Sequence, residues 1–104
     1  MKASRRCREK FHAARYHLAV AEGDVRERLR GAYRYLRMLS EQDVPLDLRD
    51  EWRSILAVLT RHGPELGPNN EVYRRAIDNT MCRIRNRTGR AIAQRIYALV
   101  REID

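Results

Sequence analysis

The sequence predicts an all-α protein, a compact single-domain bundle of four to five helices. Apolar residues recur at steps of three and four in five successive segments, as they do on the buried face of a helix. No segment shows the period-two alternation of a half-buried strand. The chain has 104 residues, a size typical of one domain built around one core.

The first two helices are predicted between residues 4 and 39. Ser4 and Asp24 are the expected N-caps, because their side chains can accept from free backbone N–H groups, and Gly23 marks the break between the helices. A narrow, heptad-like seam lines the first helix: Cys7, Phe11, Ala14, Leu18 and Ala21. A wider apolar face lines the second: Val25, Leu29, Ala32, Tyr33, Leu36 and Leu39.

The third helix follows a turn at residues 40–45, where Pro45 suits a first helical position. Its apolar residues are Leu48, Trp52, Ile55, Leu56 and Leu59. Residues 63–68 carry two Gly-Pro pairs, which indicate a loop or hinge within the single domain 1–104.

Two more helices complete the bundle. Asn69 or Asn70 is the expected cap of the fourth, whose face is Tyr73, Ile77, Met81 and Ile84. After a turn at residues 86–87, Thr88 is the expected cap of the fifth, whose face is Ile92, Ile96, Leu99, Val100 and Ile103. Ten residues are predicted to form the core: Phe11, Leu18, Leu29, Leu36, Trp52, Ile55, Leu59, Ile77, Ile96 and Val100.

Arginine dominates the charged residues, with 20 copies against 2 lysines and 14 acids, for a formal net charge of +8. Residues 1–40 carry a net charge of +7, residues 41–66 a net −3 and residues 67–104 a net +4. Two basic blocks therefore flank an acidic middle. Such a pattern favours an anionic partner, either an acidic protein surface or a nucleic acid.

Other features argue against several classes of protein. No apolar run reaches the roughly 20 residues needed to cross a bilayer, and no secretory signal opens the chain. Cys7 and Cys82 lie far apart, outside any metal-ligand spacing, although a disulfide between them stays open. We therefore expect a cytoplasmic protein that binds neither metal nor membrane.

The search for catalytic groups finds no constellation. His12 and His17 are five residues apart and point about 140° from one another on a helix, so they cannot share a metal or a proton. No glycine-rich phosphate loop and no serine with a nearby histidine and acid is present. We expect no enzymatic activity and no cofactor.

The sharpest charge pattern lies on the second helix. Arg26, Arg30, Arg34 and Arg37 follow at steps of four, four and three, which places them on one stripe about 16 Å long. This stripe predicts a surface for phosphates or for an acidic protein. The alternative is a solvated face, or ion pairs with Asp47, Asp50 and Glu51 on the next helix.

A second basic cluster lies where the last two helices meet: Arg83, Arg85, Arg87 and Arg90. Their side chains would surround a helix N-terminus, where free N–H groups favour an anion. Three tyrosines off the apolar faces are candidate interface residues, since tyrosine and arginine are enriched at binding hot spots: Tyr16, Tyr35 and Tyr97. Phe11, Tyr33, Trp52 and Tyr73 are expected in the core.

The segments 43–52 (DVPLDLRDEW) and 91–100 (AIAQRIYALV) resemble short helical proteins of Gram-negative bacteria that have no assigned function. This resemblance implies a bacterial or mobile-element origin. It implies no activity, cofactor or site residue.

The sequence thus predicts a small accessory or regulatory protein that docks on an acidic protein partner, such as a component of a nucleic-acid-handling complex. The seam of the first helix is also a candidate contact with a second copy. The alternative is a protein that binds nucleic acid directly and without sequence preference, through the two arginine clusters.

Overall fold

The predicted helical fold is confirmed, with a small hairpin added. A computed structural model describes residues 3–104. It contains five helices, α1 (Arg5–Val20), α2 (Val25–Leu36), α3 (Arg49–Leu59), α4 (Ala76–Arg83) and α5 (Asn86–Ile103). Strands β1 (Glu65–Leu66) and β2 (Val72–Arg74) form an antiparallel pair between α3 and α4. Two short 3-10 turns, Glu41–Asp43 and Leu46–Leu48, connect α2 to α3.

The first two helices begin where their caps predict. The Ser4 hydroxyl accepts a hydrogen bond from the Cys7 N–H at 3.0 Å. The Asp24 carboxylate accepts from two N–H groups in the first turn of α2. Gly23 joins the helices with a φ of +95°, a left-handed conformation that glycine adopts without steric cost.

The core lies between α1, α2 and α5, with α3 and α4 packed against them. All ten predicted core residues are buried. The Trp52 indole donates its N–H to the main-chain oxygen of Leu36 at 3.1 Å, so the one polar atom of this large side chain is satisfied.

The seam of α1 packs inside the molecule. Cys7, Phe11, Ala14 and Leu18 are all buried in the core. These four side chains already pack within one chain, so they are not available for a contact with a second copy.

The prediction of a helix cap at Asn69 or Asn70 is wrong. Asn70 has a φ of +63° and lies in the turn of the hairpin, a role that the short polar side chain of asparagine tolerates. Because the turn is followed by β2, α4 begins only at Ala76. Tyr73 consequently lies in the hairpin and is 72% exposed, not in the core.

The last helix begins two residues earlier than Thr88, the predicted cap. Ile84 and Arg85 are extended, with ψ values of 157° and 161°, and they form the break between α4 and α5. The predicted turn at residues 86–87 is instead the first turn of α5. No helix within residues 3–104 is both long and apolar enough to span a membrane.

Candidate functional site

The arginines fall into two groups. Of the 20, nine form ion pairs with carboxylates: Arg5, Arg6, Arg15, Arg26, Arg30, Arg53, Arg74, Arg75 and Arg95. The other eleven have no carboxylate partner within the described chain. Because an arginine of this second group has no internal counter-ion, its guanidinium is available to an external anion, to which it can donate two parallel hydrogen bonds.

The fold divides the predicted stripe on α2. Arg26 pairs with Asp24 at 2.9 Å, and Arg30 binds Asp78 of α4 at 2.7 Å. Arg34 and Arg37, further along α2, pair with no acid among residues 3–104. The stripe therefore does not act as one continuous basic surface.

The alternative left open by the sequence was that the arginine stripe on α2 forms ion pairs with Asp47, Asp50 and Glu51. These ion pairs do not form. Glu51 instead accepts from Arg95 of α5 at 2.7 and 3.1 Å, and Asp50 pairs with Arg53 at 2.9 Å. Asp47 has no cationic partner in the described part of the chain. These pairs differ from the predicted ones because the stripe on α2 faces α4 rather than α3.

Two contacts bring the start of α5 against the start of α2. Arg26 donates to the main-chain oxygen of Ile84 at 3.2 Å. Gly89 approaches Val25 so closely that a Cβ at position 89 would lie 2.9 Å from the valine Cγ1. The basic run at residues 83–90 therefore lies beside α2, although it is far from α2 in sequence.

Within this run, the four arginines are exposed. Arg83 donates to the amide oxygen of Asn79 at 3.0 Å, while Arg85, Arg87 and Arg90 make no side-chain hydrogen bond inside residues 3–104. Arg85 is the N-cap residue of α5, without a side-chain cap bond.

From Arg90 a groove extends along α5. Its first part, with a volume of about 210 Å³, is lined by Leu18, Val25, Arg28, Arg90, Ala93, Gln94 and Tyr97. Its second part, of about 490 Å³, shares Gln94 and Tyr97 and adds Arg15 and Arg101. We call these nine residues the α5 groove. It has an apolar floor, four arginines along its walls, and a tyrosine and an amide between them.

Sequence analysis missed Arg28 and Arg101, and it placed Arg15 with the basic residues at the start of the chain and not with α5. On α5 alone, Arg87, Arg90, Gln94, Tyr97 and Arg101 follow at steps of three, four, three and four, so this stripe could have been found. Arg15 and Arg28 could not, because they reach the groove from other helices.

Arg28 is held by the end of α1. One terminal N–H of its guanidinium donates to the main-chain oxygen of Leu18 at 2.8 Å. Its Nε atom is buried and has no hydrogen-bond partner. An unsatisfied buried donor is costly.

At the far end of the groove, Arg15 is partly neutralised. Its guanidinium binds Asp104 at 2.9 Å, and His12 binds the other oxygen of the same carboxylate. The hydrogen bonds from His12 and then from Arg15 lower the pKa of Asp104 below its ordinary value. Arg28, Arg90 and Arg101 have no such counter-ion within the described chain.

The three candidate tyrosines do not come together. Tyr97 lines the α5 groove and is half-buried. Tyr16 is exposed on the outer side of α1, and the ring of Tyr35 lies 6.3 Å from that of His17. Only Tyr97 thus shares a surface with unpaired arginines.

A second depression, of about 540 Å³, lies between α1, α2 and α4. It contains Arg34 and Arg37, together with Glu22, and the imidazole of His17 forms part of its wall. A Cβ at Gly31 would lie 1.8 Å from Nε2 of His17, so the imidazole occupies the space that any other side chain at position 31 would need. Because acids line this depression too, its charge is mixed.

The two cysteines are free thiols in very different settings. Cys7 is buried, and desolvation, with a smaller contribution from Asp43, raises the pKa of its thiol to about 11. Cys82 is exposed on α4, where Arg74 donates to its sulfur at 3.0 Å. No group of three or more metal-ligating side chains occurs among residues 3–104.

This difference predicts how the thiols react. Because the thiolate is the nucleophile, we expect a thiol reagent at pH 8 to modify one cysteine in the folded protein and two in denaturant. Cys82→Ala should abolish the reaction of the folded state without changing stability. Cys7→Ala should leave the reaction of the folded state unchanged. It should lower the free energy of unfolding by about 1–2 kcal/mol, because it removes an atom from the core. Rapid modification of two thiols in the folded protein would contradict this assignment.

Comparison of the chain with models of protein families, with curated proteins and with solved structures finds no match.

Proposed function

We propose that this protein is a small, non-enzymatic accessory protein of the bacterial cytoplasm that docks on an acidic surface of a partner protein. The α5 groove is the proposed docking site. One observation carries the proposal: three of the four arginines that line this groove have no internal carboxylate within residues 3–104, while most arginines elsewhere on α1–α3 and the hairpin are paired. The two free thiols are consistent with a reducing compartment.

The chemistry of the groove suits a protein as the occupant. Leu18, Val25 and Ala93 lie at its floor but are buried in the core, so only a small apolar area faces a partner. Carboxylates of a partner could accept from Arg28, Arg90 and Arg101 at its walls. Protein interfaces commonly combine an apolar centre with a charged rim.

Direct binding to nucleic acid is the second candidate, and the run from Arg83 to Arg90 favours it. Arg85, Arg87 and Arg90 are exposed and unpaired at the start of α5, where phosphate oxygens are readily bound. Tyr97 is the only aromatic residue of the groove, which argues against a platform for stacked bases. Any such binding would therefore be electrostatic and independent of sequence.

A capture experiment distinguishes the two candidates. Wild-type protein, the groove variant Arg90→Gln/Arg101→Gln and the control variant Arg34→Gln/Arg61→Gln would be immobilised and incubated with nuclease-treated host lysate. The two variants lose the same charge, and all four arginines are exposed and unpaired within residues 3–104. We expect a protein partner on the wild type and the control at about 0.15 M salt, and at least a tenfold loss on the groove variant.

Two outcomes would contradict docking through the groove. Equal loss on both variants would mean that only net charge matters. Loss of every partner after nuclease treatment, together with a duplex affinity that falls steeply with salt, would support direct nucleic-acid binding. In that case log affinity should fall with log salt by about 0.9 per phosphate contact, and the groove variant should reduce this slope.

A further inference from the structure

The acidic middle of the chain presents an exposed apolar side chain between carboxylates. Leu46 is 69% exposed. It is followed directly by Asp47, which is exposed and has no cationic partner within residues 3–104, and Asp50 lies one turn further with 98% of its side chain exposed. We call Leu46, Asp47 and Asp50 the acidic knob.

The knob is held rigidly. Val44 and Pro45, directly before it, are buried, and Arg49 donates to the main-chain oxygen of Val44 at 2.8 Å. Leu46 opens a 3-10 turn that leads without interruption into α3. A side chain on such an ordered element loses little further conformational freedom when it binds.

The knob matches the α5 groove in chemistry. The groove offers three arginines that lack counter-ions, Arg28, Arg90 and Arg101, beside a small apolar floor. The knob offers an apolar side chain beside two carboxylates, of which Asp47 lacks a counter-ion. Within one molecule the knob does not occupy the groove, since none of the residues that line the groove belongs to the knob. The groove and the knob of one molecule are thus both open to a second copy.

We propose that the α5 groove binds the acidic knob of a second copy of this chain. The two surfaces are different, so the contact is heterologous: the dimer as a whole still presents one free groove, on one molecule, and one free knob, on the other. Association thus adds molecules head to tail. This proposal shares the groove with the docking proposal but does not depend on any other partner.

The contact is small, and small interfaces are weak and reversible. Three side chains of one copy enter the groove of the other, so we expect a Kd of roughly 0.1–1 mM. At such concentrations a second copy would compete with the acidic partner for the groove. Partner binding would in turn dissociate the assemblies.

Sedimentation equilibrium at about 0.15 M salt tests the proposal. The weight-average mass of the wild type should rise above the monomer mass of 12.3 kDa as concentration increases to about 1 mM. Two variants should each remain monomeric: a groove variant, Arg90→Gln/Arg101→Gln, and a knob variant, Leu46→Gln/Asp47→Asn. A control with the same charge change as the groove variant but outside both surfaces, Arg34→Gln/Arg61→Gln, should associate like the wild type.

Mixing the variants is decisive because the contact is heterologous. The groove variant keeps an intact knob and the knob variant an intact groove, so an equimolar mixture should form dimers and nothing larger. A chain carrying all four substitutions should remain monomeric with either. Circular dichroism verifies that each variant folds.

Three results would overturn the proposal. These are a wild type that stays monomeric to about 1 mM, a groove or knob variant that associates like the wild type, and a mixture that forms no dimer. Because no other protein is present, each result leaves the docking function to be judged by the capture experiment.

Discussion

Replacing Trp52 by alanine should lower the free energy of unfolding by about 3–5 kcal/mol, a large share of the stability of a small domain. The indole is only 6% exposed, and it joins α3 to the end of α2 through its hydrogen bond to Leu36. Alanine would leave a cavity and would leave the Leu36 oxygen with only its longer bond from the Leu39 N–H, at 3.4 Å. Urea unfolding followed by circular dichroism at 222 nm measures the loss.

Trp52→Phe separates the two contributions. Phenylalanine keeps most of the apolar contact and removes the indole N–H, so we expect it to cost less than the alanine variant, about 1–3 kcal/mol. A loss below about 1 kcal/mol for Trp52→Ala would show that the indole does not connect α2 and α3 as described.

Gly31→Ala should destabilise the protein by about 1–3 kcal/mol, against the usual trend. Inside a helix, alanine is favoured over glycine by about 1 kcal/mol. Here the new Cβ would lie 1.8 Å from Nε2 of His17, so the imidazole must move or α1 must separate from α2. Overpacking of this kind typically outweighs the gain in helix propensity.

A double-mutant cycle tests that cause. In His17→Ala/Gly31→Ala the obstacle is gone, so alanine at position 31 should now stabilise the protein relative to His17→Ala alone. Thermal unfolding followed by circular dichroism measures all four corners of the cycle. If Gly31→Ala destabilises equally with and without His17, the close approach of the two residues is not the cause.

The helices and the core could be predicted from sequence because both depend on a period of 3.6 residues. Phe11, Leu29 and Ile96 each belong to a series of apolar residues that recur at steps of three and four along one helix. Such a series puts the apolar residues on a single face, which is the face that is buried. Tyr73 shows where this reasoning fails. It stands four residues before Ile77 and so fits a helical face, but the positive φ of Asn70 closes a hairpin there, and nothing in the apolar spacing announces that turn.

The binding surface was less predictable, since pairing between distant side chains decides which arginines are neutralised. Arg30 and Arg34 look alike in sequence, yet only Arg30 meets Asp78 of α4. Arg28 lies off the predicted stripe and enters the groove through its contact with the end of α1. Spacing along one helix identifies which residues share a face, but not which element covers that face.

The packing of α5 against both α1 and α2 has a consequence for synthesis of the chain. α1 and α2 are made first and can pair within milliseconds or less, whereas the ribosome needs roughly 3–13 s to add residues 37–103. During synthesis of that stretch Leu18 and Val25 lack the cover of α5. The α5 groove therefore exists only after the last helix has packed against the α1–α2 pair.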